Sequence, residues 1–84
     1  MNSRQSKTLT AVFAEPTLAN VAWNEVESLL VAVGCKIVEG SGSRVTFVHG
    51  QHVESFHRPH PAKQAKRYQI RQAKAFLTSL GIRP

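Results

Sequence analysis

With 84 residues and 42 % apolar side chains, the chain can hold one small domain with a modest core. Its single cysteine, Cys35, excludes an internal disulfide and fits a reduced, cytoplasmic setting. No apolar run reaches membrane-spanning length and the N-terminus lacks the apolar stretch of a signal peptide, so no membrane partner is expected.

The net charge of +6 is one-sided. Residues 1–54 carry Arg4, Lys7, Lys36 and Arg44 against all five acids of the chain. Residues 55–84 carry Arg58, Lys63, Lys66, Arg67, Arg71, Lys74 and Arg83 and no acid. Solubility needs only mixed charge, so the asymmetry points to a polyanion, of which nucleic acid is the commonest in a cell. A solvated basic helix face is the alternative.

The first six residues are polar and are expected to fray. Residues 7–14, KTLTAVFA, suit a short helix with Leu9, Val12 and Phe13 on one side, ended by Pro16. Residues 1–20 therefore read as an N-terminal extension, and residues 21–84 as the domain proper. In WNEVESLLVAVG, Asn24 fits an N-cap and Glu27 the carboxylate of a capping box. Val26, Leu29, Leu30 and Val33 then form an apolar stripe, and Gly34 closes the helix. Trp23, just before the cap, is expected to fold back into the core.

After Gly34 the period changes to two. CKIVE puts Cys35, Ile37 and Glu39 on one face, with Lys36 and Val38 on the other. The Gly40–Ser43 segment leads into SRVTFVH, where Val45, Phe47 and His49 alternate with Arg44, Thr46 and Val48. Gly50-Gln51 reads as a tight hairpin turn. In HVESFHR, Val53 and Phe56 fall out of phase, which suggests a bulge or an edge strand. Pro59 and Pro61 end the sheet. A second long helix follows from about Lys66 to Leu80, with Ile70, Ala73, Phe76, Leu77 and Leu80 inward and Gly81 as its stop. The order is αβββα after a short N-terminal helix, an α+β two-layer sandwich of three antiparallel strands with two helices on one face.

All four histidines lie between Gly40 and Pro61. His49-x-x-His52 and His57-x-x-His60 resemble metal-ligand pairs, but strand residues three apart point to opposite faces, so no metal or cofactor is expected. His49 and His52 flank the turn and read as incidental. Acid-base chemistry on RNA is the sharper possibility. It needs a base for the 2′-hydroxyl proton, cations for the phosphate and an acid for the leaving oxygen. If the second and third strands pair across Gly50, their far ends gather Arg44, His57, Arg58 and His60 beside Lys63, Lys66 and Arg67. The same residues read equally as a rim that only binds phosphate.

Four stretches carry a family resemblance: LLVAVGCKIVEG, GSGSRVTFVH, FHRPHP and the closing helix ending in FLTSLGI. Across roughly residues 23–82 the chain resembles the HicA toxins of bacterial toxin–antitoxin pairs. The resemblance implies a double-stranded-RNA-binding-domain-like αβββα fold. It also implies a metal-independent endoribonuclease, an mRNA interferase, neutralised by a HicB-like antitoxin. Members carry a catalytic histidine after the Gly-Ser of the second strand; Ser43 keeps the serine, and Arg44 stands in the histidine's place. Three outcomes are open: His57 or His60 supplies the base from the adjacent strand, Arg44 leaves a protein that binds RNA but cuts it poorly, or the chain uses another partner or target; the expected catalytic residues are His57, Arg44 and Ser43. Arg44, Arg58, His60, Lys63, Lys66, Arg67 and Arg71 are the expected RNA contacts.

Overall fold

The computed structural model covers residues 1–84. Its elements are α1 (Ser3–Val12), α2 (Trp23–Ala32), β1 (Lys36–Glu39), β2 (Arg44–His49), β3 (His52–His57) and α3 (Arg67–Ser79). The strands form one antiparallel sheet in the order β1–β2–β3. α2 and α3 cover one face, so residues 23–79 follow the expected α+β, αβββα plan. No helix is long and apolar enough to cross a membrane.

The sheet register decides which side chains meet. Val45 stands opposite Phe56, and Phe47 opposite Ile37 and Glu54. Val45, Phe47 and Phe56 are buried beneath Val26, Leu29 and Leu30 of α2 and Ile70, Ala73, Phe76 and Leu77 of α3. Phe56 takes Phe47 edge-on at 5.7 Å and Trp23 tilted at 5.2 Å between ring centroids, geometries that aromatic pairs favour. The opposite face has no helix over it. It presents Lys36, Val38, Arg44, Thr46, Val48, Val53, Ser55 and His57, all exposed or half-buried.

One local expectation is resolved and three need correction. Of the bulge and the edge strand that the phase break suggested, β3 is the edge strand, and it pairs with β2 at every position from His52 to His57. The phase break arises because Glu54 holds an inward-facing position and Val53 is an exposed outer-face residue. Glu54 is accommodated there because Gln72 Nε2 donates to its carboxylate at 2.7 Å.

The first residues are helical rather than irregular, and α1 begins at Ser3, well before residue 7. Asn2 Oδ1 accepts from the Gln5 backbone N–H at 2.9 Å, and Gln5 Oε1 accepts from the Asn2 N–H at 3.0 Å. This reciprocal capping box satisfies two donors that a helix start leaves unpaired. Thr8, Leu9 and Val12 are buried as α1 packs on α2 and α3, and α1 ends at Val12 rather than at residue 14.

α2 starts two residues earlier than expected, with Trp23 inside the helix and Ala22 as an N-cap that has no side-chain bond. Asn24 does not cap it. The start is set by a tertiary contact instead. Trp23 N–H donates to the Lys63 carbonyl at 2.9 Å, and Ala65 N–H to the Val21 carbonyl at 2.8 Å, around a bridge between Ala22 and Gln64. An orphan donor of the first turn is thereby paired with another segment. The same bridge brings the starts of α2 and α3 side by side.

His49 also proves more than incidental. Its Nε2 lies 3.1 Å from the Val33 carbonyl at the end of α2. A Cβ at Gly34 (φ +106°) would come within 3.2 Å of that ring, so glycine serves both the left-handed turn and the close approach.

Candidate functional site

The site grows from the loop between β1 and β2. Gly40 N–H donates to the Arg44 carbonyl at 2.9 Å, and Arg44 N–H to the Ser41 carbonyl at 3.1 Å. Gly42 has φ +59°, the left-handed conformation that glycine adopts without strain. A Cβ on Gly40 would lie 3.2 Å from Arg44 Cβ and Cγ, so the bare glycine lets the arginine stem lie close over the turn.

Across the sheet, Arg58 N–H donates to the Ser43 carbonyl at 2.8 Å. That bond sets the phase of the ladder. Arg44 and His57, which are partners in the register, then form a non-hydrogen-bonded pair. Side chains of such pairs approach most closely on a shared face. Ser43 Oγ is 3.5 Å from His57 Nδ1, at the outer limit of a hydrogen bond. Ser43, Arg44 and His57 are all exposed, so this open strand end carries a hydroxyl, a guanidinium and an imidazole.

Arg58 behaves differently from its neighbour. It points to the other side of the sheet, where its Nε donates to Glu27 Oε2 at 2.7 Å. Its Nη1 and Nη2 grip Glu39 at 2.6 and 2.9 Å. The indole N–H of Trp23 donates to the same Glu27 oxygen. Glu27 therefore joins β3 to α2 instead of closing a capping box. The Arg58 bonds hold the Glu39 carboxyl below the usual carboxylate range, and the two carboxylates push the guanidinium further up. The charge of Arg58 is thus largely compensated within the fold.

The remaining basic residues line the approach to α3. His60, Lys63, Lys66, Arg67 and Arg71 are all exposed. Lys66 is the N-cap of α3, Lys63 lies on the bridge between the helix starts, and Arg67 Nε donates to the Thr17 carbonyl at 3.2 Å. A depression of about 600 Å³ opens between the start of α2 and the 58–64 loop, with Arg4, Trp23, Arg58 and Lys63 on its wall. His52 is exposed at the far end of the sheet, and no three His, Cys, Asp or Glu side chains gather as a metal-ligand set. Cys35 is buried, and burial pushes its thiol up.

One contributor, Gln69, gave only a faint sequence signal. Gln69 reads as a polar position in a basic helix, yet it is only 2 % exposed and its Nε2 donates to the His57 carbonyl at 2.6 Å. The spacing of Gln69 among Ile70, Ala73 and Phe76 places it at the edge of the apolar stripe. A polar residue there is the single cue that was available.

The element order and sheet topology define an αβββα domain of the double-stranded-RNA-binding-domain type, and the family match places it in the class of small toxins from bacterial toxin–antitoxin systems. Residues 23–82 match the family described as the HicA toxin of bacterial toxin–antitoxin, and the chain belongs to that family. No curated protein and no solved structure matches the chain. The matched region begins at Trp23, so α1 lies outside it although Leu9 and Val12 are part of the core.

Proposed function

We propose that this toxin acts on mRNA in the cytoplasm, cleaving it without a metal, and that a HicB-like antitoxin neutralises it. Residues 21–84 carry the ribonuclease domain and residues 1–20 are an extension to it. The observation that supports this most is the juxtaposition of Arg44, His57 and Ser43 on an exposed strand end.

In this reading His57 removes the proton from a ribose 2′-hydroxyl. The 2′-oxygen bonds to phosphorus, the bond from phosphorus to the 5′-oxygen breaks, and that oxygen takes up a proton. His60, exposed three residues further on, supplies it in this reading. Arg44 neutralises the charge that builds on the phosphate, and the Ser43 hydroxyl steadies the imidazole through Nδ1. Lys63, Lys66, Arg67 and Arg71 bind the flanking phosphates, in keeping with a fold that reads RNA by shape and backbone. Arg58, expected among the RNA contacts, is bound to Glu27 and Glu39 and acts in this reading as a brace rather than a phosphate ligand.

The second reading is a non-catalytic RNA-binding module, favoured by Arg44 at the position where relatives carry their histidine. Growth on induction and cleavage of purified RNA separate the two. Wild type is expected to slow growth and cut RNA, and His57→Ala to lose both while remaining folded. If His57→Ala still cuts and Arg44→Ala does not, the catalytic assignment is wrong. Salt-dependent RNA binding without cleavage by the wild type establishes the module reading.

A further inference from the structure

β3 is an edge strand, and the ladder phase turns the carbonyls of Ser55 and His57 away from β2. Edge carbonyls are ordinarily left to water or to another chain. Both of these are taken by amides of α3. Gln72 Nε2 donates to the Ser55 carbonyl at 2.8 Å, and Gln69 Nε2 to the His57 carbonyl at 2.6 Å.

Gln69 is the unusual member of the pair. It is 2 % exposed, and both ends of its amide are used. While Nε2 holds His57, Oε1 accepts from the Lys66 backbone N–H at 3.0 Å. Capping α3 alone does not call for a buried amide, because a short polar residue at the N-cap does that locally. Burying an amide is costly unless both its donor and its acceptor find partners, as they do here. What the buried position adds is a rigid link between two parts of the molecule. One is the α3 start, where Lys66 and Arg67 stand. The other is the main chain that carries the His57 imidazole.

We propose that Gln69 is a positioning residue that fixes the His57 ring against Ser43 and Arg44 and sets its distance from the basic start of α3. The proposal rests on reading His57 as the proton-transfer group. Beyond Phe56, two bonds hold the main chain on either side of the His57 ring: Arg58 N–H to the Ser43 carbonyl, and Gln69 to the His57 carbonyl; the Arg58 side chain braces the next residue on Glu27 and Glu39. Loss of the second lets His57 swing while the buried Phe56 keeps the rest of β3 in place.

The test compares steady-state RNA cleavage by wild type, Gln69→Met, Gln69→Glu, Gln72→Met and His57→Ala, with melting curves and the NMR shifts of the His57 ring. Gln69→Met removes both ends of the amide, whereas Gln69→Glu keeps the acceptor that caps α3 and loses the amide donor. Both Gln69 variants are expected to lose about 10–100-fold in kcat, because a small misplacement of a reacting group is that costly. KM should stay within about three-fold, and the His57 ring shifts should move. Gln72→Met should match wild type in kcat. A folded Gln69 variant with wild-type kcat and unmoved ring shifts, beside an inactive His57→Ala, overturns the positioning role alone. Wild-type cleavage by His57→Ala overturns the reading of His57 itself. If neither Gln69 variant folds, exchange of the Gln69 side-chain amide in the wild type decides: slow exchange supports the link, and fast exchange overturns it.

Discussion

The guanidinium of Arg58 closes on both carboxylate oxygens of Glu39, at 2.6 and 2.9 Å, and so ties the end of β3 to the far edge of the sheet. Paired hydrogen bonds between arginine and a carboxylate are stronger and more directional than a single contact. Because the folded-state pKa of Glu39 lies below its ordinary 4.5, the pair stabilises the fold at pH above that value. The stabilisation is lost as the pH falls through the folded-state pKa. The melting temperature of the wild type should therefore drop below about pH 4.5 more steeply than that of Arg58→Met. Parallel curves for the two proteins would mean that the pair contributes nothing.

The register pairs Arg44 directly with His57 on the same sheet face. His57→Ala should lower cleavage by about 10²–10⁴-fold, the usual contribution of a positioned acid or base. Arg44→His in the His57→Ala background returns an imidazole to the strand end and should recover part of that rate. A double variant as inactive as the single one would show that the two positions are not exchangeable.

Phosphate contacts and internal braces differ in their response to salt. Alanine at Lys66, Arg67 or Arg71 should each reduce the slope of log affinity against log salt by about 1. Arg58→Ala should leave that slope unchanged, since Glu27 and Glu39 already compensate its charge. Filter binding to duplex RNA across a salt series measures both. An Arg58→Ala slope reduced as much as that of Lys66→Ala would make Arg58 a phosphate ligand.

α1 is integral to the core even though it lies outside the family match. Leu9 is 6 % exposed against α2 and α3. Leu9→Ala should cost about 2–5 kcal/mol, the range for truncating a buried leucine. Denaturant unfolding measures it. A change of only a few tenths of a kcal/mol would mark α1 as a dispensable appendage.

Much of the architecture was legible because it is locally encoded. The stripe of Val26, Leu29 and Leu30, the alternation of Val45 and Phe47, and the glycines at 34, 50 and 81 report local periodicity and backbone freedom. Pairing β2 with β3 across Gly50 then placed Arg44 opposite His57 by counting alone. Glu54 broke the pattern because an inward carboxylate is acceptable only with a partner, and that partner, Gln72, comes from another element.

The sequence by itself determined the order of elements, the one-sided charge and the residues that share the strand end, since each depends on neighbours a few positions away. The tertiary structure alone decided which of those residues are free to act. Glu27 has the spacing of a capping box, but Arg58, 31 residues away, and the Trp23 indole claim its oxygens. Arg58 is thereby withdrawn from solvent-facing charge, Gln69 is drawn in to hold His57, and Ala22 caps α2 without a side-chain bond because Lys63 supplies the missing acceptor. Hydrogen bonds and ion pairs are won by whichever partner the folded chain brings within about 3 Å, and that competition is not written in local spacing.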